Sequence, residues 1–318
     1  MFQAAILRNK IIYLYVGIAV VLVVAGAWAM IQAHIQSVFD GNKAYQDVVY
    51  QVSLGPRVPQ SQAHSAFIQW ITGELTRYHW QVEVQKDTSM GHPIENVVAR
   101  RGSGKPWIIL GAHYDSRLWA DQDLNPSKRQ LPVPGADDGA SGVAVLVELA
   151  RILPLNTHAQ IWLAFFDAED NGEVPGWDWL LGSKVFVSRL PTPCSAGSCP
   201  DAVVVVDMVG DSQLDIYEEK NSNPDLTRQI WTEAASLGYS SKLIPQPKYA
   251  MLDDHTPFLE AGIPAVDLID FDYPYWHTTQ DTPDKVSADS LKVVGQTLLA
   301  WLLNPAEVVS SLQAPQSH

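Results

Sequence analysis

The apolar positions of the chain fall into two rhythms that alternate. Short apolar runs at 107–112, 160–166 and 203–206, with polar residues only at their edges, read as buried strands, and 265–269 reads as a further strand. Segment 61–78 repeats its apolar residues every third or fourth position, which predicts a helix with one buried face; 142–153 reads as a strongly apolar helix, and 224–237 and 287–303 as further helices. In the first of these the stripe is Ala66, Phe67, Trp70, Ile71 and Leu75, and Ser61 or Ser65 is placed to cap it. A linker and first helix are expected over 39–52, ended by Gly55-Pro56-Arg57-Val58-Pro59, and a short helix over 257–261. Residues 80–84 and 96–100 alternate apolar with polar and predict half-buried strands, with another short strand at 214–217. Strands alternating with helices predict a three-layer α/β/α sandwich around a mixed, largely parallel sheet. A long polar excursion, 117–133, interrupts it, and a loop of such length commonly carries function; 171–182 is another loop, rich in Trp, Gly and Pro.

The N-terminus follows neither rhythm. Residues 11–31 contain no charged side chain, which is long enough to cross the ~30 Å hydrocarbon core as a helix. Arg8 and Lys10 precede it and favour a cytoplasmic N-terminus. Ala27-Trp28-Ala29 fits a signal-peptide cleavage site, so secretion after cleavage is the alternative. Either route exports the rest of the chain. The expected division is a cytoplasmic segment 1–10, a membrane anchor 11–31, a linker 32–43, one catalytic domain 44–305 and a disordered polar tail 306–318.

Composition narrows the partners. A formal net charge of −14 argues against nucleic-acid binding, which calls for a basic patch. The two cysteines, Cys194 and Cys199, lack zinc-knuckle spacing and could form one disulfide outside the cytosol.

The chemistry lies where apolar runs stop. The first central strand ends in His113 and Asp115, the second runs into Glu169 and Asp170, and the all-valine strand ends in Asp207. Asp137 and Asp138 crowd a glycine-rich turn just before a helix, and a late loop adds His277. Singly these are weak signals: an Asp before a helix is ordinarily a cap. Together they place imidazoles and carboxylates at the carboxyl ends of strands, where open α/β sheets build their sites. That donor set suits zinc. In the pair Glu169-Asp170, one carboxylate can face a metal and its neighbour a substrate.

The segments GAHYDS, PGADDGASG, FFDAED, VVVVDMVG and YWHTTQDT, in this order, resemble the zinc exopeptidase superfamily. It contains the bacterial leucyl aminopeptidases and the glutaminyl-peptide cyclotransferases. The resemblance spans nearly the whole exported domain. It implies that Asp138, Asp170 and His277 hold a zinc ion and that Glu169 is the general base. A second zinc, where present, would take His113 and Asp207 with Asp138 bridging. Asp170 stands where the superfamily has a second Glu, so the backbone must approach the metal by about one methylene.

Further stretches resemble the cyclotransferase branch: Asp253-Asp254-His255-Thr256-Pro257-Phe258-Leu259, and the pair Trp276-His277. By that resemblance Trp276 and Trp177 line the substrate pocket, and Asp253 and Asp207 form an acidic cluster around Glu169. The implied activity is conversion of N-terminal Gln of a peptide or protein to pyroglutamate, with one zinc. A zinc aminopeptidase using a water nucleophile is the alternative, and a non-catalytic interaction domain the third reading. That last reading requires Asp138, Glu169 or His277 to be missing, and all three are present.

Overall fold

The computed structural model describes Tyr13 and residues 38–157, 159–191 and 198–303. The expected anchor and tail, 11–31 and 306–318, lie outside the described residues except for Tyr13. No helix among the described residues is long and apolar enough to cross a membrane. The chain divides into units 1–38 and 39–318, and the second carries the α/β fold.

Helix α1 (Gly41–Ser53) starts where the Asp40 carboxylate accepts the N–H groups of Asn42 and Lys43. Helix α2 (Gln62–Arg77) is capped by Ser61, whose hydroxyl accepts His64 N–H at 3.0 Å. Strands β1 (Gln81–Ser89) and β2 (His92–Arg101) form a hairpin whose turn, Met90-Gly91, has φ of 52° and 84°. Both angles are left-handed, as a two-residue hairpin with right-handed twist demands. The remaining elements are β3 (Gly104–His113), α3 (Ala140–Ile152), β4 (Ala159–Phe166), α4 (Leu181–Ser188) and β5 (Ala202–Asp207). They are followed by β6 (Ile216–Glu218), α5 (Pro224–Ser236), β7 (Leu243–Pro247), α6 (Thr256–Glu260), β8 (Ala265–Ile269) and α7 (Ala288–Leu303).

The six-stranded sheet has the order β1-β2-β4-β3-β5-β8. Strands β4, β3, β5 and β8 are mutually parallel, and β1 and β2 join antiparallel at one edge. The mixed, largely parallel sheet predicted from the apolar runs is therefore present. Helices α1, α3 and α7 pack together on one face, α3 against β3, while α4 packs with α6 on the other. Helix α3 is buried along its whole length from Ala140 to Ala150, which explains its nearly continuous apolar sequence. Helix α4 and strand β7 lie in stretches where periodicity predicts no element.

The chain leaves β3 on one side to form β4 and returns to its other side as β5, so β3 is the topological switch point. The carboxyl ends of β3, β4, β5 and β8 meet there. A ligand crevice belongs at such a point.

Candidate active site

The strand ends and one helix turn bring the expected residues together. His113 closes β3, and its Nε2 lies 3.1 Å from Asp138 Oδ1 and 3.1 Å from Asp207 Oδ1. His277 Nε2 lies 2.8 Å from Asp170 Oδ1 and 3.7 Å from Asp138 Oδ2. Two overlapping buried triads result, His113/Asp138/Asp207 and Asp138/Asp170/His277, each with its donor atoms within 4.8 Å of one another. Asp138 belongs to both.

The backbone is bent to present these groups. Ala168, Met208 and His277 adopt φ of 51°, 44° and 54°. A left-handed residue carrying Cβ costs ~1–2 kcal/mol, and such strain concentrates at functional sites. The kinks fall just before Glu169, just after Asp207 and at His277. Gly139, at the start of α3, has φ of 100°, and a Cβ there would meet Asp115 O at 2.4 Å. That position requires glycine.

A layer of buried hydrogen bonds holds the kinks. The Asp115 carboxylate accepts the N–H groups of Glu169 and Asp170 at 3.0 and 3.4 Å, and the Asn171 side-chain amide at 3.3 Å. Asp281 accepts the N–H groups of Asp137 and Asp138 at 2.8 and 3.3 Å, and the Tyr273 hydroxyl at 2.7 Å. Asp137 turns away from the triads to accept Gly210 N–H at 2.6 Å. The Arg57 guanidinium is fully buried and donates to the carbonyls of Tyr114, Pro134 and Gly135. Asp121, in the 117–133 excursion, lies 3.5 Å from His277 Nδ1 and accepts from Arg117 at 2.6 Å. A carboxylate on the far nitrogen orients an imidazole and raises its basicity.

Burial and mutual repulsion govern the carboxylates. Burial, with Asp138 beside it, raises Asp170 to about 6, and burial with Asp253 and Asp138 raises Asp207 to about 7. Burial pushes Glu169 well up, with Asp170, Asp253 and Asp254 adding to it. Burial alone would lower His277, but Asp170 and Asp121 lift it to about 9. Asp138 moves the other way: burial opposes ionisation, but the His113 hydrogen bond together with the charges of His113, His277 and Arg117 outweighs it. Asp138 Oδ2 and Asp170 Oδ2 are buried without a hydrogen-bond partner, and both belong to the His277 triad. Orphaned carboxylate oxygens beside an imidazole fit a cation, and this mixed donor set fits zinc.

The triads open into a cavity of about 240 Å³. Glu169, Asp207 and Asp253 face it together with Asp138, Asp170 and His277, and its apolar wall includes Met208, Met251, Phe271, Trp179 and Trp276. Trp276 stacks on His277 at 3.6 Å between ring centroids. Trp177 corrects an expectation. It lies outside the cavity lining and stacks on His92 at 3.6 Å, packed by Ile94 and Leu181. The turn at Gly176, with φ of 90°, directs Trp177 to the β1–β2 hairpin. Trp179, two residues on, takes the wall position, 6.1 Å from the His277 ring and nearly parallel to it. The Trp-Asp-Trp sequence carries both rings, and without the turn nothing tells them apart. Arg117 and Asp281 also support the site: Arg117 directly follows the GAHYDS segment and Asp281 lies within YWHTTQDT, but no spacing marks either as a support.

Fold and site define a zinc-exopeptidase-type α/β domain. The chain belongs to peptidase family M28, whose pattern matches residues 96–302. The Bacteroides thetaiotaomicron glutaminyl cyclase bound to N-acetylhistamine is similar at 32% identity and a TM-score of 0.77, over 84% of this chain and 98% of that one. A Zn-dependent exopeptidase from Parabacteroides distasonis is similar at 30% identity and a TM-score of 0.76, over 84% and 98%. Aminopeptidase YwaD of Bacillus subtilis is 29% identical over 205 residues, which is 61% of this chain but 40% of that protein.

Proposed function

We propose that the chain is a zinc-dependent glutaminyl-peptide cyclotransferase, which converts an N-terminal Gln to pyroglutamate and ammonia. The observation that carries this is the small aromatic-walled cavity into which Glu169 and the Asp138/Asp170/His277 triad both open. At about 240 Å³ it suits one terminal residue better than an extended peptide. Zinc held by Asp138, Asp170 and His277 would supply Lewis-acid polarisation of the γ-amide carbonyl.

The remaining work falls to side chains. Glu169 takes a proton from the substrate's α-amine as its nitrogen bonds to the side-chain amide carbonyl carbon, Cδ. Glu169 then returns the proton to the departing amide nitrogen, the C–N bond to that nitrogen breaks, and ammonia leaves. Asp207 and Asp253 lie at the same cavity, and like charge there favours a proton kept within the group. Trp179, Trp276 and Phe271 pack the substrate's methylenes and keep water from the carbonyl.

An aminopeptidase is the second reading, favoured by the His113/Asp138/Asp207 triad that could hold a second ion. Glu169 would then take its proton from water. Gln-naphthylamide and Leu-naphthylamide separate the two. Cyclisation yields ammonia from the first with no free naphthylamine; naphthylamine released from the second overturns the cyclase. Glu169→Gln should keep zinc and lose nearly all turnover, and His277→Ala should lose zinc.

We also propose that residues 11–31 anchor an exported catalytic domain, with cleavage near Ala29 as the alternative. Cys199 is disulfide-bonded, which fits an oxidising compartment, and Cys194, the chain's other cysteine, lies outside the described residues. Retention in alkali-washed membranes supports the anchor; a soluble product beginning after Ala29 refutes it.

A further inference from the structure

Glu219 follows β6, and its side chain is wholly enclosed behind the cavity wall. Its carboxylate accepts Met251 N–H at 2.8 Å through Oε1. Through Oε2 it accepts the N–H and hydroxyl of Ser222 at 2.7 and 2.8 Å, and His255 Nε2 lies 3.3 Å away. Asn221 N–H completes the set at 2.9–3.0 Å from the two oxygens. Met251 and His255 stand two residues before and two residues after Asp253. One carboxylate therefore grips both flanks of the turn that carries Asp253 into the cavity. Within the turn, Thr256 N–H donates to Asp253 O at 2.7 Å, and the Asp253 N–H donates to the Thr256 hydroxyl at 3.3 Å.

The grip closes into a ring. Asp267, on β8, lies 3.7 Å from His255 Nδ1, and the charge of Asp253 acts on its buried carboxyl group. Its N–H donates to the Ser222 hydroxyl at 3.0 Å, and that hydroxyl donates to Glu219. Burial raises Glu219, but its His255 hydrogen bond and the backbone N–H groups outweigh that and hold it at about 2. A buried carboxylate with this many charge-assisted bonds is a rigid anchor.

We infer that Glu219 is a positioning residue for the reaction, fixing through Met251 and His255 where the Asp253 carboxyl group points. What Asp253 does once positioned rests on the cyclase reading. A brace that served folding alone would occupy the same place, so the test needs a readout that a brace would not move.

That readout is a double-mutant cycle on kcat in the zinc-loaded full chain with Gln-naphthylamide, using Glu219→Gln, Asp253→Asn and the pair. The inference predicts that Glu219→Gln lowers kcat about tenfold or more with zinc content unchanged, the loss of about one positioned hydrogen bond. In the Asp253→Asn background the same change should cost no more than about twofold, because both act through one group. Equal losses in both backgrounds, or an unchanged kcat, overturn it. If Glu219→Gln does not fold, Ser222→Ala removes a single hydroxyl from the ring, and the same cycle applies: a loss of about threefold that vanishes beside Asp253→Asn supports the inference, and any other pattern refutes it. The cyclase reading fails separately, if the wild-type chain releases naphthylamine from Leu-naphthylamide; the cycle run on that activity still tests Glu219.

Discussion

Gly172 sits two residues beyond Asp170, the proposed zinc ligand, and a methyl group there should reach the substrate pocket through a single ring. A Cβ at Gly172 would lie 2.0–2.1 Å from Cδ2, Cε2 and Nε1 of Trp179. Carbon contacts are comfortable at about 3.5–4.0 Å, so ring and backbone must separate by roughly 1.5 Å. The backbone is pinned, because Arg117 donates to Gly172 O at 3.1 Å and to Asp170 O at 2.8 Å. The ring is the softer partner, and moving it disturbs its stack with His277 and reshapes the cavity wall. Overpacking of this kind costs about 1–3 kcal/mol, which corresponds to roughly 5- to 150-fold in kcat/KM if the wall contributes to transition-state binding. Gly172→Ala should show that loss on Gln-naphthylamide, mostly in KM, with zinc content intact. Gly73, inside α2, is the control: nothing lies within 4 Å of its added Cβ. Gly73→Ala should leave activity unchanged and stabilise the fold by about 0.4–1 kcal/mol. Wild-type kcat/KM in Gly172→Ala would refute the wall role of Trp179. Loss of zinc at unchanged KM would show that the backbone at Asp170 had yielded instead.

Three further outcomes are expected. Trp179→Leu should raise KM for a Gln substrate about tenfold or more, whereas Trp177→Leu should leave KM unchanged and lower Tm, since its ring packs on His92; equal KM effects would contradict the assignment. Asp47 is raised from 3.8 to about 7 by burial and by Glu74 and Glu148. A carboxylate raised in the folded state loses stability as pH rises from about 4 to about 7, so the stability advantage of Asp47→Asn should grow over that window and level off above it, read as ΔTm against pH. Without metal, Asp170 and Asp207 are raised to about 6 and about 7, so the metal-free domain loses stability over the same rise in pH. Chelation should therefore lower Tm more at pH 8 than at pH 5, and an equal drop at both would count against a cation among these carboxylates.

Much of this architecture is legible in the order of residue types. Three of the four parallel strands show as apolar runs because both their faces are covered, and their ends show as abrupt polarity because a crevice lies there. His113, Asp170 and Asp207 can be gathered on that ground, whereas Asp138, in a helix-leading turn, and His277, in a late loop, join them by residue type and by the resemblance. Asp253 stands out only by resemblance, and the cavity includes it. The residues that stay hidden depend on turn geometry or on layers without periodicity. Trp177 and Trp179 differ by one turn at Gly176. Asp281, Arg57 and Glu219 support the site through backbone N–H and C=O groups, and such bonds leave no spacing in the sequence. Helix α4 begins at Leu181, directly after Leu180 in the left-handed conformation, with no side-chain cap to announce it. Strand β7 carries two prolines in five residues and pairs with the three-residue β6, which suppresses any alternation.

The central claim is that Glu169 moves a proton between a substrate's own amine and its leaving amide. Mass spectrometry of a Gln-initiated peptide incubated with the zinc-loaded chain tests it most directly. The wild type should form a product of unchanged sequence, lighter by one ammonia, and Glu169→Gln should not. A product shortened by its first residue, or the same ammonia loss at an equal rate with Glu169→Gln, would contradict it.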